Sequence, residues 1–357
     1  MKKLMFLFLL LLCVTFCTRD KLIIGDCSCT DMAKLPISVN WTRSKLKPQN
    51  ISVLFYDSEK GDLVKEHQMR NIGDSAIQYI HMPIGRYTVV VFNELRNQIL
   101  NVRVVGHEKF STLQFVGIDE SPEDVVSRSK DARYILSPEE FGTVIVNDVE
   151  VTKDLISYTH GVETKADVAT KNKSKETSKK LLGLSPLNRI SWLDIKLHIK
   201  GLINARMPGL VDLRELSDGY IPATDRNTKN YVTEQFSINN RKFDPDSTRD
   251  GTVSARIAIF GLCDERNNVT YYKKNKVPLE IDVLFMLRDK EKTLINQKID
   301  IVDLITFDQS SSSASGVIEL QVDFELPEPL PYVKPESEEE SGFGSSVVDW
   351  EVVDVPL

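Results

Sequence analysis

Apolar and polar residues alternate with a period of two along this chain, in short runs closed by turn-forming residues. Successive side chains on a strand point to opposite faces, so such a run buries one face and wets the other. A helix would repeat its apolar positions every three or four residues. Leu35, Ile37, Val39 and Trp41 follow the pattern, with Pro36, Ser38 and Asn40 between them. Ile51-Ser52-Val53-Leu54-Phe55-Tyr56 is a second run, ending in Asp57-Ser58-Glu59-Lys60-Gly61. Ile77 to Met82 is a third and stops at Pro83-Ile84-Gly85. Tyr87-Thr88-Val89-Val90-Val91-Phe92-Asn93 leaves that turn, and its β-branched and aromatic content favours a pleated, half-buried surface. Ile99 to Val105, Thr112 to Val116 and Phe141 to Val146 add three more. Ser121-Pro122-Glu123-Asp124 breaks the series and predicts a surface helix or loop over 121–134.

A second β region opens at Trp192, where Leu193, Ile195, Leu197 and Ile199 alternate with Asp194, Lys196 and His198. Ser254 to Gly261, Leu279 to Leu287, Gln297 to Val302 and Val317 to Phe324 continue it. Asp212 to Asp250 is polar and rich in turn residues, which predicts large excursions on a sheet edge. Short strands, polar turns and few helical periods define an all-β sandwich class.

The 357 residues suffice for two ordinary domains of roughly 100–200 residues each. Glu163 to Lys180 is dominated by lysine, threonine, serine and alanine and reads as a polar linker or long loop. The expected organisation is a leader over 1–16, a tether over 17–33 and an N-terminal sandwich over 34–160. A linker over 161–185, a C-terminal sandwich over 186–326 and an acidic tail over 327–357 follow. The tail carries prolines and the Glu336-to-Glu340 run, and is expected to be disordered alone. Its apolar patch, Val347 to Val355, has the composition to add as a strand to a sheet edge.

Lys2 and Lys3 lead into the apolar run Leu4 to Val14, and the chain turns polar at Thr18-Arg19-Asp20. That is the form of a secretory signal peptide, and the run is short of the roughly 20 apolar residues a membrane span needs. Cys17 stands where the polar chain begins and is the expected lipidation site, with Cys13 as its rival. Phe16 occupies the position before it, where a small residue is usual; ordinary cleavage after Cys17 would instead yield a secreted protein. Several acyl chains on one cysteine anchor stably, whereas a single chain binds only marginally.

The net charge of −7 offers no basic field, so a nucleic-acid partner is not expected. Cys27 and Cys29 form a pair without the second pair a zinc site needs, and Cys263 reads as a small buried hydrophobe. His67, His81, His107, His160 and His198 are scattered, with no pair at ligand spacing and no nucleophile elbow or phosphate loop. Asp244, Asp246 and Asp250-Gly251 depart from calcium-loop spacing. No cofactor, no metal and no enzymatic activity are expected. A glycosidase carboxylate pair would be set by space rather than by spacing, and nothing in the sequence singles one out.

Several segments together carry a resemblance. They are the leader ending in cysteine, Leu35-Pro36-Ile37-Ser38-Val39-Asn40-Trp41, Ile51 to Tyr56, and Met82-Pro83-Ile84-Gly85-Arg86-Tyr87 with the strand after it. Ile199-Lys200-Gly201-Leu202 with Ala205 and Gly209-Leu210, and the tail from Asp349-Trp350 to Val355-Pro356-Leu357, extend it. The chain resembles the fimbrillin-like, minor-fimbrium anchor-type lipoproteins of Bacteroides and its relatives, many of which are labelled only as domains of unknown function. The resemblance implies two tandem transthyretin-like (Greek-key) β-sandwiches, a palmitate-bearing anchor in the outer membrane and a surface-exposed place at a fibre base or among adhesins. The partners would be pilin-like proteins, joined by strand addition into a groove. Tyr87, Val89 and Val91 on one strand and Ile281, Val283 and Phe285 on another are the candidate walls. A second function is a glycan-binding accessory lipoprotein of a nutrient-uptake system, with Trp41, Trp192 or Tyr271-Tyr272 stacking on sugars; core burial is the plainer role for both tryptophans. A surface hydrolase is the third. Asp74-Ser75-Ala76 resembles an O-glycosylation sequon, a three-residue match that chance explains.

Overall fold

The structure is a computed structural model that describes residues 32–74, 76–121, 132–152, 155, 181–262, 279–308 and 318–334. The first strands are β1 (Met32–Val39), β2 (Asn50–Asp57), β3 (Leu63–Arg70), β4 (Ile77–Pro83) and β5 (Gly85–Asn93). Then come β6 (Val102–Val105), β7 (Gln114–Gly117), β8 (Tyr134–Ile135), β9 (Gly142–Val151), β10 (Leu182–Leu184) and β11 (Leu187–Asn188). The second half holds β12 (Ser191–Ile199), β13 (Ala205–Ser217), β14 (Gly219–Ile221), β15 (Arg226–Asn227), β16 (Tyr231–Ile238), β17 (Asn240–Phe243) and β18 (Gly251–Ile259). β19 (Glu280–Leu287), β20 (Leu294–Asp300), β21 (Thr306–Asp308) and β22 (Ile318–Glu325) complete the set. Among the described residues, helix is confined to short 3-10 turns such as Phe110–Thr112 and Leu202–Asn204. No described helix is long and apolar enough to cross a membrane. The all-β class expected from alternation is what the chain adopts.

Two compact units divide the chain, one drawn from Met1–Ile37, Gln78–Arg86 and Glu150–Leu182, the other from Ser38–Ile77, Tyr87–Val149 and Gly183–Leu357. The smaller unit centres on a three-stranded sheet in the order β10-β1-β4. Ala33, Leu35 and Ile37 on β1 and Ile80 and Met82 on β4 are buried, whereas Ile77 and Tyr79 stand exposed. The Lys34 ammonium sits 4.6 Å over the Tyr79 ring, a cation–π contact on that exposed face.

The larger unit contains four sheets. In the first, ordered β11-β9-β5-β2-β3, Phe55 pairs with Val89 and Val53 with Val91. Every residue from Ile51 to Tyr56 and from Tyr87 to Asn93 is buried, so these strands are covered on both faces. That two-sided burial explains why their sequences run almost continuously apolar rather than alternating. On one face Leu54, Tyr56, Val90 and Phe92 enter an aromatic core with Phe115, Phe141, Tyr220 and Phe260. Phe115 and Phe141 lie 4.3 Å apart between ring centroids, and Phe92 meets Phe115 edge-on at 5.1 Å.

The opposing sheet, β15-β14-β7-β6, is assembled from both halves of the chain: β14 pairs with β7, Gly219 opposite Val116 and Tyr220 opposite Phe115. Gly219 is required at that crossing, because a Cβ there would lie 2.2 Å from the Phe115 carbonyl oxygen.

The remaining two sheets, β17-β18-β12-β22-β21 and β20-β19-β13-β16-β8, sandwich a second core. β12 keeps the alternation read from its sequence, with Leu193, Ile195, Leu197 and Ile199 buried in that core. The 212–250 segment is only in part the edge excursion that its polarity predicts: β15 and β17 lie at sheet edges, but the rest does not. It supplies the end of β13 and all of β16, which lie inside their sheet. Several of its buried polar residues are tolerated because they are bonded in place. The Asp212 carboxylate accepts from Tyr134 Oη (3.1 Å) and Gln235 Nε2 (2.7 Å). Arg214 reaches Asp282 at 3.0 Å. β8, from the first half, runs parallel to β16 and pairs Tyr134 with Thr233.

Candidate functional site

Each residue expected to do work has a definite place or lies outside the described residues. Cys17, Cys13, Cys27, Cys29, Cys263, His160, Ser75 and the Tyr271-Tyr272 pair fall in the latter group, as do the helix or loop expected from Pro122 and most of the linker and tail. Tyr87, Val89 and Val91 sit on β5 between β9 and β2, and all three are buried. Ile281, Val283 and Phe285 sit on β19 between β13 and β20 and point into the second core. The two sets lie in different sheets.

Trp41 is buried, and its backbone N–H donates to Asp74 Oδ1 at 2.9 Å, which gives Asp74 a structural task. Trp192 is partly buried against the aromatic core, with the Arg256 guanidinium 5.0 Å over its ring. Asp250 of the loose calcium-like run accepts the Gly201 N–H at 2.7 Å, pinning a turn where Gly201 adopts φ 75°. Among the described residues, no three His, Cys, Asp or Glu side chains come together as a metal site.

One depression on the surface gathers polar chemistry. It lies on the face of the β17-β18-β12-β22-β21 sheet turned away from the core and encloses about 490 Å³. Two cross-strand rows form its floor. Arg256, Asp194 and Gln321 make the first, and Asn240, Ser254, Lys196 and Asp323 the second. Arg256 donates to Asp194 Oδ2 (2.9 Å) and Glu319 Oε1 (3.2 Å). Asp323 takes Lys196 Nζ at 3.2 Å and faces His198 Nε2 at 2.6 Å. These two donors hold its carboxyl below the usual range, against the opposing push of burial. Asn240 Nδ2 donates to Ser254 Oγ at 2.9 Å. The alternation along β12 already put Asp194, Lys196 and His198 on one face; the partners from β18, β22 and β17 depend on register, which no single segment announces.

A different kind of polar residue lies inside the second sandwich. Glu234 is 1% exposed, and among the described residues neither carboxylate oxygen has a hydrogen-bond partner. Burial pushes its pKa well up; the Ser137 hydroxyl pulls the other way and the Glu120 charge adds to the rise. The pull from Ser137 is slight, since that hydroxyl gives its one proton to the Ala258 carbonyl at 2.6 Å. The folded pKa thus stands above the unfolded value near 4.5, and the folded state holds the extra proton between the two. The stability tied to this group is complete below the unfolded pKa and is lost as pH rises toward the folded one. Glu234→Gln should therefore raise the urea-unfolding free energy at pH 8 by about 1–3 kcal/mol, the usual scale for a buried group left unsatisfied. The gain should shrink toward pH 4. Parallel pH–stability curves for the two proteins would contradict this.

The combination of stacked, largely antiparallel sheets, core-directed strands and a polar sheet face defines an all-β sandwich protein. A structure from Bacteroides ovatus, provisionally assigned as an adhesin, shares that fold with a TM-score of 0.54 at 14% identity, covering 84% of this chain and 94% of its own. The fimbrial anchor protein Mfa2 of Porphyromonas gingivalis aligns at 7% identity with a TM-score of 0.37, over 76% of this chain and 83% of its own. Its tip fimbrial protein Mfa3, with a C-terminal truncation, aligns at 11% identity and 0.33, over 75% and 81%. No curated protein sequence matches the chain. The domain of unknown function DUF5119 matches residues 17–237, and the chain belongs to that family.

Proposed function

We propose that this chain is a non-enzymatic cell-surface lipoprotein, tethered to the outer membrane through acylated Cys17, that serves adhesion or fibre assembly by exchanging strands with pilin-like partners. Its modules are the sandwiches over 34–160 and 186–326, joined by 161–185. The observation that carries the proposal is the way the second sandwich is completed. β22 comes from near the chain's end and pairs parallel with β12 from Ser191–Ile318 to His198–Glu325. It sends Leu320 and Val322 into the same core as Ile281, Val283 and Phe285. A sheet completed by so remote a segment is suited to accept an equivalent strand from another chain, since the backbone bonds are indifferent to which chain supplies them. With β22 exchanged, Ile281, Val283 and Phe285 wall the groove; Tyr87, Val89 and Val91 are the matching wall in the first module.

Two measurements test this. Labelled palmitate should enter the wild-type protein and not Cys17→Ser, and surface proteolysis of intact cells should reach the wild type. Pilin-like subunits should co-purify with the full chain and be displaced by a peptide of residues 318–326. Recovery from the cytosol without label, or failure of any pilin-like subunit to bind, refutes the corresponding half.

A further inference from the structure

We propose that the depression on the outer face of the β17-β18-β12-β22-β21 sheet binds a neutral polyhydroxylated ligand, a hexose oligosaccharide. Its volume of about 490 Å³ falls in the range of roughly 300–1,000 Å³ typical of small-molecule sites. Charge selects the ligand class. Asp194 and Asp323 are matched by Lys196 and Arg256, and each of the four is already in an ion pair inside the depression. So balanced a floor presents no field to attract an anion or a cation.

What remains is directional hydrogen bonding. Asp194 offers acceptors, Gln321 and Asn240 are planar amides that offer neighbouring donors and acceptors, and the Ser254 hydroxyl can do either. Vicinal sugar hydroxyls, each both donor and acceptor, are the complementary chemistry. Asp194 is the focal group. Its pKa is raised chiefly by burial, with Arg256 pulling it down and Glu319 pushing it up again. Arg256 engages only its Oδ2 among the bonds formed across the sheet, so a ligand hydroxyl donating to this carboxylate relieves its desolvation. The floor is also held in advance of binding. Arg256 is fixed by Asp194, Glu319 and the Trp192 ring, and Asn240 by Ser254, so little side-chain freedom is lost when a ligand arrives. A peptide strand would instead seek a sheet edge, because this face exposes side chains and not unpaired backbone.

β22 brings Gln321 and Asp323 to this floor, so the site is complete while the chain keeps its own β22. The two readings still fail separately, one in co-purification, the other in sugar binding. The full chain should be titrated calorimetrically with mannan, dextran, cellulose and laminarin oligosaccharides, with heparin as the anionic counter-probe. At least one neutral series should bind, with little change between low and high salt. Asp194→Asn and the pair Asn240→Ala, Gln321→Ala should each weaken it roughly tenfold or more, the scale of losing a hydrogen bond at a polar site. Their circular dichroism and melting should match the wild type. Absence of binding to all four neutral series, unchanged affinity in both variants, or preference for heparin would overturn the proposal.

Discussion

Phe115→Ala should lower the unfolding free energy by about 3–5 kcal/mol, the cost of emptying an aromatic site in a packed core. Phe115 is fully buried on β7, and its ring touches Phe92, Phe141 and Tyr220. Little can collapse into the space, because the surrounding rings are fixed on β5, beside β9 and on β14. The location makes the result informative beyond its size. Phe92 and Phe141 come from the first half of the chain, Tyr220 and Phe260 from the second, and all share one core. The two halves should therefore lose stability together. Trp41 reports the first half and Trp192 the second, and with Trp350 and the other of the two replaced by phenylalanine each can be followed in a single-tryptophan background. In Phe115→Ala both fluorescence midpoints should move to lower urea by similar amounts. A shift confined to the Trp41 signal would mean that the halves unfold independently, and that the shared β14–β7 pairing contributes little.

Much of this architecture was written in side-chain period, and the parts that were not share a cause. β12 shows strict alternation because one of its faces meets the core and the other meets solvent. β2 and β5 read as strands because two-sided burial selects β-branched and aromatic residues throughout. β13 and β16 were misjudged because Asp212, Glu234 and Gln235 give an inner strand the composition of a loop. Only tertiary partners such as Tyr134 make that composition affordable in a sheet interior. β8 is two residues long, too short to carry a period, and exists because β16 offers it a pairing edge. The parallel match of β22 with β12 is likewise a matter of topology, since nothing in either segment names the other. The same holds for the polar depression. Asp194 was visible on the wet face of its strand, but Arg256 and Gln321 become its neighbours only through register. The groove strands were chosen for their apolar character, and that same character is what buries them.

Asp218→Ala should cost about 1–3 kcal/mol, the scale of removing a buried acceptor from its hydrogen-bond donors. The Asp218 side chain is 3% exposed and receives Arg133 Nη1 at 2.5 Å, the Thr228 hydroxyl and the Asn230 amide. Its backbone is equally committed: the carbonyl accepts the Gly117 N–H at 2.7 Å, which fastens β7 to the segment before β14. Removing the carboxylate leaves Arg133 to Asp119 and strips an acceptor from the buried Thr228 hydroxyl. Asp218→Asn keeps the shape and one acceptor oxygen, so it should lose about half as much. Salt separates this from a surface effect. Lys200 and Glu325 form an exposed pair, and breaking that pair should cost little, and nothing at high ionic strength. The Asp218→Ala penalty should persist in 1 M sodium chloride, because a buried carboxylate is poorly screened. Urea unfolding of the wild type, the two Asp218 variants and Lys200→Ala at low and high salt measures all three. A penalty below about 1 kcal/mol, or one that salt abolishes, would show that Arg133 and Asp218 are a surface pair in energetic terms and that β7 and β14 are held by the aromatic core alone.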